Sequence, residues 1–256
     1  MSRYFFVLCL LFSACTGRKT SLPLRIATAA NMQFVMEALA QQFEEKYGIE
    51  CDLVVSSSGK LTAQIQAGAP FDLFISANMI YPEAIYQSGL AKAAPKVYAY
   101  GKLVLWTMLE EIEPSIAILS DAKIKHIALP NPKTAPYGMA SEQVLRKMGV
   151  LASLSPKLVY GESIAQSNQF IITQSVAIGF TAMSVVQSPS MRNKGRWIAI
   201  DRNWHTPIEQ GIVLLKSEPS QSEKAKLFYQ FLFSKAARKL LNDFGYTTPS
   251  NKNQVQ

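Results

Sequence analysis

Between residues 24 and 246, short β-rich apolar runs alternate with stretches of helical periodicity, and no fixed-period repeat or low-complexity linker interrupts them. That alternation restricts the chain to α/β folds. Strands buried on both faces read as near-continuous apolar runs, and a crossover between parallel neighbours needs a helix to cover the sheet. Strands are expected at 24–27, 49–55, 71–75, 102–108, 126–129, 158–160, 177–181, 196–200 and 211–215. The first helix presents Met32, Val35, Met36, Leu39 and Phe43 on one face and stops at Gly48. Further helices follow near Leu61 and Ile65, over 81–87, through Ala140, Val144 and Leu145, and up to Phe170. The chain closes with one amphipathic stretch over 222–244 and a polar tail, taken as mobile over 247–256.

The first residues stand outside this pattern. Arg3 precedes an apolar run at 4–14, which is too short for a bilayer-spanning helix of about 20 residues but suits a secretory signal. Phe12-Ser13-Ala14-Cys15 then resembles a bacterial lipoprotein cleavage box, with Phe12 where such boxes usually carry leucine. The resemblance implies a signal at 1–14, lipidation of Cys15, a linker at 15–23 and a membrane-anchored, exported protein.

Cleavage before Cys15 leaves 242 residues with 25 basic and 18 acidic groups, a net charge of +7 against +8 for the whole chain. Such an excess suits nucleic acid, an anionic surface or a small anionic ligand. The three tryptophans and the scattered tyrosines do not interleave with basic clusters, so nucleic-acid binding is not expected. His126 and His205, the only histidines, lack ligand-spaced neighbours, and no glycine-rich nucleotide loop is present. Cys51 opens a strand and is expected to be a buried, inert small hydrophobe.

Chemistry concentrates at four places where a strand ends in small or hydroxyl-bearing residues and a helix begins at once: Ala30-Asn31, Ser58-Gly59, Tyr137-Gly138 and Ser163-Ile164. A helix N-terminus carries unpaired N–H groups and about half a positive charge, so it attracts anions without a side-chain cation. The plain alternative is that Asn and Ser merely cap their helices. The four blocks hold no arginine, one lysine nearby (Lys60) and one carboxylate (Glu162), which is expected to point away. A site built of donors favours a fully deprotonated oxyanion such as molybdate, tungstate or sulfate over a partly protonated one.

Several blocks resemble, in order, the periplasmic molybdate-binding proteins of ABC importers: Ala29-Ala30-Asn31-Met32, Ser57-Ser58-Gly59-Lys60-Leu61, Pro136-Tyr137-Gly138, Gly161-Glu162-Ser163-Ile164 and Phe244-Gly245-Tyr246. The most diagnostic is Gly68-Ala69-Pro70-Phe71-Asp72-Leu73-Phe74-Ile75-Ser76-Ala77. The resemblance implies a two-lobed periplasmic-binding-protein fold (type II), with one lobe over 24–100 plus 208–246 and the other over 101–207. Hinges would lie at 98–102 and 206–211. It also implies a monomeric, non-enzymatic receptor that uses no cofactor and hands molybdate or tungstate to an importer. The oxyanion would be held by Ala30, Asn31, Ser58, Tyr137 and Ile164, the last two through backbone N–H groups. Some members have Ser where this chain has Asn31, and some supply a tyrosine hydroxyl where it has Ala182. The alternatives are a receptor for sulfate or another divalent oxyanion, and an enzyme on the same fold with Cys51 or Ser58 as nucleophile.

Overall fold

The computed structural model describes residues 22–249. The expected signal segment, Cys15 and most of the expected linker lie outside them.

Two five-stranded mixed sheets form two lobes. The first sheet holds β1 (Leu24–Ala29), β2 (Cys51–Ser56), β3 (Leu73–Ser76), β4 (Lys96–Gly101) and β10 (Ile208–Leu214), ordered β2-β1-β3-β10-β4. The second holds β5 (Leu103–Thr107), β6 (Ile127–Pro130), β7 (Leu158–Gly161), β8 (Ile178–Ala182) and β9 (Arg196–Ala199), ordered β7-β6-β8-β5-β9. In each sheet three adjacent strands are parallel, as helical crossovers require, and the chain passes between sheets at 101–103 and before Ile208.

Helices α1 (Gln33–Tyr47), α2 (Ser58–Gln66) and α3 (Ile80–Gln87) follow strands of the first lobe. The second lobe carries α4 (Pro136–Lys147), α5 (Leu151–Leu154), α6 (Ile164–Ile172) and α7 (Met183–Val186), and α8 (Pro219–Leu232) and α9 (Lys235–Asp243) return to the first. The expected apolar face is buried: Met32, in the 3-10 turn just before α1, and Val35, Met36, Leu39 and Phe43 of α1 are all solvent-inaccessible. Phe43 meets Phe228 and Phe231 of α8 at ring-centroid distances of 4.9 and 5.6 Å. Each such ring stabilises the lobe by about 1.5–3 kcal/mol through burial. Asp72, from the diagnostic run, is buried because its carboxylate accepts from the Arg25 N–H at 2.9 Å and from the Gln221 amide at 3.4 Å, tying β1 to α8.

Four expectations are corrected. The 222–244 stretch is two helices, because the chain breaks at Phe233-Ser234 and the Ser234 hydroxyl caps α9 by accepting from the Ala237 N–H at 3.2 Å. Residues 96–101, expected to hold a hinge over 98–101 and no strand, form strand β4, paired antiparallel with β10; both expected hinges thus lie largely within paired strands. The register jumps from Gln210↔Ala99 to Gly211↔Val97, leaving Tyr98 as the extra residue. The tail does not start at 247, since Thr247 exchanges backbone hydrogen bonds with Tyr100 at 2.7 and 3.0 Å, and Tyr246 before it is buried. Cys51 is half-buried rather than buried.

Candidate functional site

Parallel strands all end on the same side of a sheet, and here the carboxyl ends of both sheets open onto one seam. A small, tight pocket at that seam is lined by Ala29, Ala30, Asn31, Ser57, Ser58 and Ala77 from the first lobe. Ala135, Pro136, Tyr137 and Ile164 line it from the second. All four turns singled out in the sequence therefore meet at one point, although they come from helices far apart in the chain. No side chain that is charged at neutral pH lines this pocket.

The capping alternative fails on geometry. Of the residues preceding the four helical segments, Ala29 and Ala135 have no side-chain acceptor to cap with, and Ser57 and Ser163 make no side-chain cap hydrogen bond. No side chain takes up the first-turn N–H groups, and apart from those that donate to backbone carbonyls, such as Gly59 N–H to Thr134 at 2.9 Å, they are open to whatever fills the pocket. At α4 the assignment is by elimination: Pro136 has no N–H, and Gly138 and Met139 donate to the Ala135 carbonyl at 2.9 and 3.1 Å. The Tyr137 N–H is the one left over.

Ser58 is 1% exposed, and its Oγ accepts from the Ala77 N–H at 3.0 Å, which leaves its own proton to be donated elsewhere. Thr62, one helical turn on, donates its hydroxyl to the Ser58 carbonyl at 2.8 Å and fixes that turn. Asn31 is held differently. Its Nδ2 donates to Gln210 Oε1 at 2.8 Å and to the Tyr246 hydroxyl at 2.9 Å, so both amide protons are spent inside the protein. The Tyr246 hydroxyl in turn donates to the Asn31 carbonyl at 3.0 Å, and so does Ser184 Oγ, from the second lobe, at 2.8 Å. The floor of the pocket is thus a buried polar network joining the first turn, the β10 crossing strand, the C-terminal segment and the opposite lobe. Tyr137 turns its hydroxyl towards the crossing strands beside Gly101, and burial pushes that phenol well above the usual tyrosine range, as it does Tyr98.

The lobes also touch at the mouth. The Gly59 N–H donates to the Thr134 carbonyl at 2.9 Å, and Lys60 forms an ion pair with Glu162. Glu162 therefore turns away from the pocket, as the sequence led us to expect, and its charge is balanced by the lysine from the facing lobe. A β-carbon at 59 would come within 3.0 Å of the Thr134 Cα and carbonyl oxygen, so glycine permits this approach.

Sequence reasoning missed Ser57, Ser184, Gln210 and Tyr246. Ser57 sat in plain view beside Ser58, and Phe244-Gly245-Tyr246 carried a signal in its glycine, whose φ of +85° turns the chain back after α9. Cys51 is remote from the pocket, and burial together with the charges of Glu44 and Glu50 pushes its thiol up to about 12. The thiolate is the reactive form, so the folded protein is expected to react with iodoacetamide at pH 8 far more slowly than a free thiol. Mass spectrometry of timed quenches checks this; rapid stoichiometric labelling would contradict it.

Residues 24–247 match the family model described as bacterial extracellular solute-binding protein. The chain belongs to that family. The solute-binding chain is 34% identical over 235 residues to a protein of Azotobacter vinelandii named molybdate-binding protein ModA, covering 91% of this chain and 92% of the relative. It is 34% identical over 224 residues to the Rhodobacter capsulatus protein of the same name, with 87% of each covered. Its fold matches the solved periplasmic molybdate-binding protein of Azotobacter vinelandii with a TM-score of 0.84 at 31% identity, covering 89% of this chain and all of the other.

Proposed function

We propose that this protein is an extracytoplasmic receptor that captures molybdate or tungstate and delivers it to the membrane subunit of an ABC importer. The observation that carries the reading is the convergence of four helical N-termini, the first a 3-10 turn at Ala30–Met32 and none capped by a side chain, on one pocket that no charged side chain lines. Such a site supplies donors and no acceptor strong enough to want a protonated ligand, so it suits a fully deprotonated oxyanion. The names of the relatives point to the same cargo.

In this reading Ala30, Asn31, Ser58, Tyr137 and Ile164 bind the oxyanion, with Ser58 donating its hydroxyl and the others mainly their backbone N–H groups. Residues 24–100 plus 208–246 act as one lobe and 101–207 as the other, closing over the ligand by a hinge motion about the two crossings. Closure excludes water and strengthens each hydrogen bond to the dianion. The receptor works as a monomer, without a cofactor, tethered to the membrane through lipidated Cys15. It performs no chemistry on its cargo: neither histidine, lysine, carboxylate nor thiol lines the pocket to serve as base or nucleophile.

Isothermal titration of the mature protein with molybdate, tungstate, sulfate and phosphate tests the assignment. Tight binding of the first two is expected; no heat with either, or tight sulfate binding, would sink it. Ser58→Ala is expected to weaken molybdate binding by about 1–3 kcal/mol, because it removes a hydrogen bond to a charge in a dry site. An unchanged affinity would confine Ser58 to holding the Ala77 N–H.

A further inference from the structure

We infer that Ser57 is a further ligand of the oxyanion, donating its hydroxyl alongside that of Ser58. Ser57 lines the pocket, is 3% exposed, and its Oγ is buried without any hydrogen-bond partner in the protein. Several polar groups of this turn have other partners. The Ala77 N–H goes to Ser58 Oγ, the Thr62 hydroxyl to the Ser58 carbonyl, and the Leu61 N–H to the Ser57 carbonyl at 3.0 Å. Ser57 occupies the N-cap position of α2, where a serine would ordinarily accept from an N–H of the first turn, and it does not do so. A buried hydroxyl that neither caps its helix nor bonds to a neighbour is unfavourable unless the occupant of the pocket takes its proton.

The chemistry of that occupant follows from the donor. A hydroxyl that can donate meets an oxygen bearing lone pairs, and a tetrahedral dianion presents such oxygens in every direction. Two hydroxyls from consecutive residues give the α2 turn a second contact to the anion in addition to its backbone N–H groups. This inference rests on the oxyanion-receptor reading, and it concerns which side chains complete the cage.

The test compares the mature protein with Ser57→Ala and Ser57→Gly by titration with molybdate and by melting with and without molybdate. Glycine is tolerated at N-cap positions, so the second variant guards against a folding defect in the first. Both variants are expected to raise the Kd about tenfold or more and to shrink the molybdate-induced rise in melting temperature. The ligand-free melting temperature should stay level or rise, because an unpaired buried hydroxyl has been removed. Affinities within twofold of the parent, or a lowered ligand-free melting temperature with unchanged affinity, would overturn the proposal and make Ser57 a purely structural residue. Failure of the parent itself to bind any oxyanion is a separate result, which strikes the receptor reading.

Discussion

Gly138→Ala is expected to abolish measurable oxyanion binding while lowering the melting temperature of the protein. A β-carbon at 138 would overlap the carbonyl group of Pro130, with the carbonyl carbon at 2.8 Å and that of Asn131 at 2.9 Å. These are backbone atoms at the end of β6, held in the second sheet by pairing with β7 and β8, so they cannot rotate away as a flexible side chain could. The accommodation must come from α4, whose first turn would lift off the strand. Overpacking a well-filled site costs about 1–3 kcal/mol, and a fixed backbone neighbour places this variant at or above the upper end. For a protein of this size, each kcal/mol lowers the melting temperature by about 2–4 °C. Affinity is expected to suffer more than stability, because in the proposed site the same turn presents the Tyr137 N–H to the ligand, and a donor displaced by about 1 Å no longer meets its oxygen. Titration with molybdate and a melting curve check both effects. A variant that binds within threefold of the parent would show that the α4 turn contributes nothing to the site.

What the sequence made legible follows the range of the interactions. The fold class was readable because β-rich runs and helical faces are local patterns, and the four turns were readable because each is a strand end followed at once by a helix start. Their convergence was a matter of topology, supplied in the sequence only by the resemblance in block order. Strand β4 escaped notice because it lies at a sheet edge, pairs mainly with β10, and carries a tyrosine at its register jump rather than a clean alternation. The break between α8 and α9 was hidden because Phe233 continues the apolar periodicity, although Ser234 marked the new helix start. The floor of the pocket was illegible for a different reason. Asn31 and Tyr246 are 215 positions apart and Tyr246 and Ser184 are 62 apart, and although Gly245 marks a turn, no local pattern says which distant residues the tyrosine after it will meet.

That floor predicts the second large effect. Asn31→Ala is expected to lower the melting temperature by about 5–10 °C and to weaken molybdate binding at least tenfold. The amide at 31 satisfies Gln210 Oε1 and the Tyr246 hydroxyl, and Gln210 is fully buried, so truncation leaves its amide oxygen in the protein interior without a donor. Each polar group orphaned in this way costs about 1–3 kcal/mol. The loss does not stop at the first turn. Gln210 lies on the strand that returns from the second lobe, and its amide nitrogen also donates to the Ala77 carbonyl at 3.3 Å. Ala77 is the residue whose N–H orients Ser58. Removing Asn31 therefore loosens the second turn through Gln210 and Ala77, and the opposite lobe through Tyr246 and Ser184. Asn31→Asp separates packing from polarity: it keeps the shape but replaces a donor with a carboxylate facing Gln210 Oε1 and the incoming dianion. Its affinity should fall below that of the alanine variant, most steeply at low salt, where repulsion between like charges is least screened. A salt-independent affinity for Asn31→Asp, or an alanine variant that melts within 1 °C of the parent, would mean that the network under the pocket does not govern how its four turns are held together.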